Sequence, residues 1–202
     1  RMTRKYDGYF EVLEQFVSDP LTPVQGKNDY LTAIIQRTDP KFMKSFTPQM
    51  DSVVEKAVQA HPSDSTMMSL AGIWYYSTDR KPEAAKWFRL NADAYPESVG
   101  ARASLVEFLM YAEMWADLSE EGRQAFEHFP QESAFLELAS VGDYNLGRYE
   151  EVLELCDKVL EVSPADSSKT LRAWSTKGDI YHRLGDAKKA YKAYDKALKV
   201  NP

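Results

Sequence analysis

The side chains in this sequence best suited to catalysis or metal binding are three histidines, one cysteine and two adjacent glutamate pairs. His61, His128 and His182 are far apart, and none has an i, i+4 histidine partner or the Cys and carboxylate spacing of a metal site. Cys156 is the only cysteine, which excludes an internal disulfide and any Cys-rich zinc site, and its place between Leu155 and Asp157 reads as a small buried hydrophobe. Glu120 with Glu121, and Glu150 with Glu151, lie in charge-rich helical stretches with no apolar pocket to separate their pKa values, so they read as solvated faces rather than an acid–base pair. No GxSxG elbow, P-loop or dinucleotide fingerprint occurs. The sequence therefore contains no catalytic residues, metal site or cofactor site, and it reads as non-enzymatic.

Composition narrows the remaining classes. A chain of 202 residues that is 44% hydrophobic buries a sizeable core without metal or disulfide support. A net charge of −6 with basic and acidic residues interleaved argues against nucleic acid as a partner, since phosphate neutralisation needs clustered Lys and Arg. No apolar run approaches the roughly 18 residues of a membrane span, so no direct membrane insertion is expected. The start at Arg1 and Met2 is read as that of a trimmed or processed chain, and no signal-peptide pattern opens it.

The elements that position these residues are clearest at the C-terminal end, in the stretch WSTKGDIYHRLGDAKKAYKAYDKALKVNP from Trp174 to Pro202. Trp174, Lys177, Gly178 and Tyr181 recur at helical spacing, Gly185 stops that helix, and Asp186 caps the next. In the second helix Ala190, Tyr194 and Ala197 share a face, so the two helices form an antiparallel hairpin. Gly178 and Ala190 mark the closest approach of the two, and Pro202 ends the second helix. Terminal prolines recur upstream at Pro62, Pro96, Pro130 and Pro164, with steps 96−62=34, 130−96=34, 164−130=34 and 202−164=38.

The set Trp174, Gly178, Tyr181, Ala190, Tyr194, Ala197 and Pro202, with this period, resembles the tetratricopeptide repeat, and the array resembles the degenerate bacterial type. The copy ending at Pro96 keeps Ala71, Gly72, Tyr75, Ala84 and Phe88. The next two keep apolar or small character: Leu105, Val106, Leu109, Leu118, Gly122 and Ala125, then Ala139, Ser140, Gly147, Val152, Cys156 and Val159. The four extra residues of the last interval lie near Ala165 to Thr170. They add about one turn, roughly 6 Å, and keep the apolar face in phase, with Asp166 or Ser167 as cap. Helices are expected at 65–78, 82–95, 97–112, 114–128, 131–145, 148–162, 166–184 and 186–200.

Before Pro62 the pattern holds only in the second helix, where Val54 and Ala57 share the repeat face and Thr47 and Pro48 read as cap and first helical residue. Residues 1–46 read as two or three helices forming a diverged cap or degenerate repeat, with Gly26 obscuring where the second begins. The domain reading is thus a cap at 1–46 and a solenoid at 47–202, partial over 47–62, with repeats ending near 96, 130, 164 and 202.

The resemblance implies an all-α, right-handed α-α superhelix of antiparallel hairpins whose concave face binds a protein or peptide. It also implies a lean toward an exported or periplasmic location. Capture of a C-terminal carboxylate, a known activity of the family, is disfavoured: Ala134, Glu137, Leu138 and Val141 occupy the groove positions of one copy, and Asp179 separates Arg172 from Arg183 in the last. The groove is expected instead to be apolar, aromatic and acidic. Tyr76, Met110, Tyr144 and His182 hold its twelfth position in successive copies, and Ile73, Glu107, Tyr111, Glu137, Val141, Asn145, Asp179 and Arg183 accompany them. The alternative is a structural segment of a longer exported array, and the final helix, through Tyr191, Tyr194 and Leu198, is the surface expected to self-associate.

Overall fold

Residues 6–200 are described by a computed structural model of the chain. Among them the regular structure is entirely helical, so the all-α expectation holds. The helices are α1 (Asp7–Ser18), α2 (Val24–Arg37), α3 (Pro40–Ser45), α4 (Thr47–Ala60), α5 (Ser65–Ser77), α6 (Lys81–Ala94), α7 (Val99–Tyr111), α8 (Trp115–His128), α9 (Ala134–Asn145), α10 (Tyr149–Val162), α11 (Ser167–Arg183) and α12 (Ala187–Val200). From α5 onward each expected helix is present, with ends shifted by at most three residues. The role given to Pro202 falls outside the described residues.

Each hairpin turn is built the same way. In α5 the N–H of Arg80 donates to the Tyr75 carbonyl and that of Asp79 to the Tyr76 carbonyl, both at 3.0 Å. The same two bonds run from Met114 to Leu109 and Glu113 to Met110, from Arg148 to Asp143 and Gly147 to Tyr144, and from Asp186 to Tyr181 and Gly185 to His182. This is the Schellman stop, which satisfies the last carbonyls of a helix by placing one residue at positive φ. That residue is Asp79 (62°), Glu113 (59°), Gly147 (73°) and Gly185 (78°), at steps of 113−79=34, 147−113=34 and 185−147=38. The backbone therefore keeps the interval of the terminal prolines even where the sequence lacks glycine.

Starts are capped where an aspartate is available. Asp64 accepts from the Met67 N–H at 2.9 Å, and Asp166 and Asp186 accept from Lys169 and Lys189 at 3.0 Å. The seventeen-residue α11 is four residues longer than α5, as the longer interval requires. Thr47 differs from the expectation: it is the first helical residue, Phe46 occupies the cap position, and the Thr47 hydroxyl turns back to the Lys44 carbonyl at 3.2 Å.

The chain divides into two compact units, Arg1–Leu105 and Val106–Pro202. In the first, α4 packs on α1 and α5, and α5 also meets α2 and α6. Leu13, Val17, Leu31, Met50, Val53, Ala57, Leu70 and Trp74 form its core. The region upstream of α4 resolves into α1, α2 and the six-residue α3, with α2 starting at Val24 and running through Gly26. In the second unit α8 through α12 pack in sequence, each on the next.

Equivalent positions of the second helices are buried alike. Ala84, Leu118, Val152 and Ala190 are buried, as are Asn91, Ala125, Val159 and Ala197. A Cβ on Gly72 would lie 2.6 Å from the Phe88 ring, and one on Gly178 would collide with the ring of Tyr194 rather than with Ala190. The next copy holds Val106 and Gly122 at the same two positions, with large and small exchanged, which conserves volume.

Candidate functional site

The Schellman stops fix the twelfth-position residues. Tyr76, Met110, Tyr144 and His182 all lie in the last turn of a first helix, where their carbonyls accept the closing bond. Their side chains therefore project from the rigid C-terminal end of each helix. Tyr76 and Ile73 belong to the first unit, and each is 40% exposed on α5. The other ten proposed groove residues belong to the second. On α7, Glu107 and Tyr111 are exposed and Met110 is half-buried.

Between α9 and α11 the proposed residues come together as pairs. Arg172 Nη2 donates to both carboxylate oxygens of Glu137 at 3.0 Å, while its Nη1 donates to Ser168 Oγ at 2.7 Å. One heptad along, the Arg183 guanidinium lies 5.2 Å from the centre of the Tyr144 ring, which also meets Tyr149 edge-on at 6.0 Å. Asn145 turns back to donate to the Val141 carbonyl at 2.8 Å. Asp179 accepts from the Tyr194 hydroxyl at 2.7 Å, which commits it to α12, and His182 is exposed on the last turn of α11. Glu137 was expected to give the groove acidic character; here Arg172, which the sequence reading set aside as an anion ligand, meets its charge.

A cavity of about 150 Å³ opens beside the Glu137 and Arg172 pair, lined by Glu137, Ser140, Val141, Leu155, Cys156, Val159, Arg172, Ala173 and Thr176. Its floor is apolar and its rim carries hydroxyls and the ion pair. Burial pushes the Cys156 thiol up to about 12, with the Asp157 and Glu137 charges adding to the shift and Lys177 opposing it, so the sulfur is a protonated apolar wall rather than a nucleophile. Sequence reading placed Cys156 in the core but gave no sign of the space above it.

The buried polar groups outside this face are structural. Asp143, only 1% exposed, accepts from Ser119 Oγ at 2.7 Å and Arg123 Nη2 at 2.6 Å, and Arg148 Nη1 lies 3.5 Å away. Asp51 accepts from Trp74 Nε1 at 2.6 Å and from both terminal nitrogens of Arg80, which stacks 4.4 Å from the Tyr75 ring centre. Fully buried Lys27 donates to the Asp19 carbonyl at 2.6 Å and lies 2.8 Å from His61 Nε2, and desolvation lowers its pKa. The first unit also has a cavity of about 540 Å³ beside Lys44, Thr47, Thr78 and Arg80 that no sequence signal marked. No group of three or more metal-ligating side chains lies close enough together to hold an ion among the described residues. No helix among them is long and apolar enough to cross a membrane.

Residues 171–202 match the family model described as tetratricopeptide repeat. No curated protein matches the chain in sequence. Its fold is similar to that of YrrB, described as a TPR protein with an unusual peptide-binding site, at 21% identity and a TM-score of 0.56 over 81% of this chain and 83% of that one. It is also similar to MamA, at 16% identity and a TM-score of 0.58 over 81% and 95% of the two chains. A further likeness is to MamA from Desulfovibrio magneticus RS-1, at 12% identity and a TM-score of 0.59 over 88% and 94%. Residues 171–202 thus form a tetratricopeptide repeat, and the same turn recurs at its interval through the three hairpins before it, in a fold similar to that of tetratricopeptide-repeat proteins.

Proposed function

We propose that the chain is a non-enzymatic protein-interaction scaffold that takes an extended peptide or partner segment along the face shared by α9 and α11. The observation that supports this is the pairing of Glu137 with Arg172 and of Tyr144 with Arg183. The two pairs tie neighbouring first helices together a short way apart, and the first of them stands at the rim of an open cavity whose edge carries the Ser140 and Thr176 hydroxyls. Helix-borne side chains fixed by such pairs form a preorganised surface, which lowers the entropy cost of binding. Residues 1–46 serve in this reading as a helical cap on the solenoid of 47–202. Selection of a phage-displayed random peptide library on the protein tests it. Enriched peptides should lose binding to a Tyr144→Ala, Arg183→Glu variant, and a library with no enrichment would refute the groove.

A second reading, a structural segment of a longer array, is favoured by α12. Tyr191 and Leu198 are 75% and 64% exposed there, whereas the equivalent Ala85, Ser119, Ala92 and Phe126 of α6 and α8 are buried. That face is a stacking seam, and a further hairpin or a second copy of this chain would fit it.

A further inference from the structure

We propose that the cavity between α9, α10 and α11 is an anchor pocket that selects one leucine-, methionine- or phenylalanine-sized side chain of a bound peptide. The inference rests on the groove reading above and adds its specificity. Three observations carry it.

The first is size. At about 150 Å³ the space is below the roughly 300 Å³ at which pockets for whole small molecules begin. A dry cavity of roughly 150 Å³ does admit a benzene-sized group. A single aliphatic side chain or phenyl ring matches that volume.

The second is lining. Val141, Leu155, Cys156, Val159 and Ala173 supply the wall, and every one of them except Val141 is buried. An apolar side chain entering it leaves water at no polar cost, whereas a charged one would lose its hydration with no opposite charge free to receive it. Glu137 and Arg172 are engaged with each other at 3.0 Å, so the mouth is electrically neutral.

The third is position. Val141 and Thr176 lie on the facing sides of α9 and α11, between the Glu137 and Arg172 pair and the Tyr144 and Arg183 pair. Glu137 and Tyr144 are seven residues apart, about 10 Å along a helix. An extended strand crossing that interval spans about three residues at 3.3 Å each, so one residue in the middle faces the opening. Its neighbours meet the guanidinium of Arg172 on one side and the ring of Tyr144 on the other.

The test runs library selection on three proteins side by side: the full chain, an Ala173→Phe variant that fills the cavity from its wall, and a Thr176→Trp variant that closes its mouth from a half-buried site. Helical content and melting are recorded for each, and Thr176→Trp keeps the comparison valid if Ala173→Phe does not fold. The pocket predicts that peptides enriched on the full chain share one Leu, Met, Ile or Phe at a fixed position. It also predicts that changing that residue to Ala, or filling the cavity, weakens binding by about tenfold or more. Enriched peptides with no shared apolar position, or with binding unchanged on both cavity variants, would overturn the pocket while leaving the groove standing. No enrichment on the full chain would overturn the groove and the pocket together.

Discussion

The aromatic ring of Tyr194 covers Gly178 so closely that any side chain on Gly178 would have to displace it, and Phe88 stands over Gly72 in the same way sixteen residues along the chain. The last hairpin is closed by this contact between α11 and α12. The Tyr194 hydroxyl extends it by donating to Asp179, which raises the tyrosine pKa.

Gly178→Ala is therefore expected to destabilise the protein. Overpacking costs roughly 1–3 kcal/mol, and the helical gain of replacing glycine, about 1 kcal/mol, offsets part of it. Gly26, itself exposed on α2, has nothing within 4 Å of its Cβ position, so Gly26→Ala should stabilise by about 0.5–1 kcal/mol. Urea melts of both variants decide the matter, and equal shifts of the same sign would show that Tyr194 does not hold this place.

Asp79 and Glu113 adopt the left-handed conformation that Gly147 and Gly185 adopt at the equivalent turns. A residue with a Cβ pays roughly 1–2 kcal/mol there. Glu113→Gly should raise the melting temperature or leave it unchanged despite the looser unfolded chain, whereas Gly147→Val should lower it by several degrees. A destabilising Glu113→Gly would mean that the glutamate side chain is needed at that turn.

How much of this was legible in sequence depends on what each position must satisfy. Apolar and small residues at a period near 34 located the helices of 65–200 within three residues, because every copy must bury the same stripe. The start of α9 was placed three residues early. The N–H groups of Phe135 and Leu136 bond three residues back, to Glu132 and Ser133, which delays the helix. Lys27, Asp143 and Lys177 are buried against the expectation for their type, since burial of a charge depends on partners far away in sequence. Lys177 replaces Ala71, Leu105 and Ala139 of the other copies and survives by reaching Asp157 while covering the Trp174 ring. In the groove the residue types were readable, but the pairing of Arg172 with Glu137 was not. It joins residues 35 apart, on first helices of successive copies.

The two acidic pairs of the second unit should respond differently to removal. Asp143 is buried beneath Arg123 and Arg148, so Asp143→Ala breaks a buried network and should cost about 2–4 kcal/mol. Arg172 is 55% exposed, and Arg172→Ala should cost less than about 1 kcal/mol because water screens the pair it forms with Glu137. Thermal unfolding of the two variants would reverse this order only if the Asp143 network were dispensable.

Glu14 on α1 predicts part of the acid response. Its bonds from Lys56 and from Ser52 Oγ, the latter at 2.6 Å, hold its carboxyl below the ordinary value of 4.5. A carboxyl depressed in the folded state stabilises the protein above its unfolded pKa and loses that contribution as the pH falls through the folded value. The chain should therefore lose stability below about pH 4.5, and Glu14→Gln should flatten that part of the profile while lowering stability at pH 7. Parallel urea midpoints for the two proteins from pH 7 to pH 3 would contradict the assignment.

The exposed face of α12 leads to the last prediction. Tyr191 and Leu198 are seven residues apart, so they lie on one side of the helix, with Lys188, Lys192 and Lys199 exposed around them. In α10 the equivalent Leu153 and Leu160 are half-buried. The α12 face thus has the composition of a repeat-to-repeat contact together with a basic border. A second copy, drawn from a chain of net charge −6, offers acidic surface to meet that border, and burial of the two large side chains would drive the association. Light scattering of this chain over a hundredfold range of concentration, about what a mid-micromolar dimer needs to show itself, should reveal a rising mass. The Tyr191→Lys, Leu198→Lys variant should remain monomeric with unchanged helical content. A mass that stays at one chain throughout, or a variant that associates as the parent does, would remove α12 from any role in self-association.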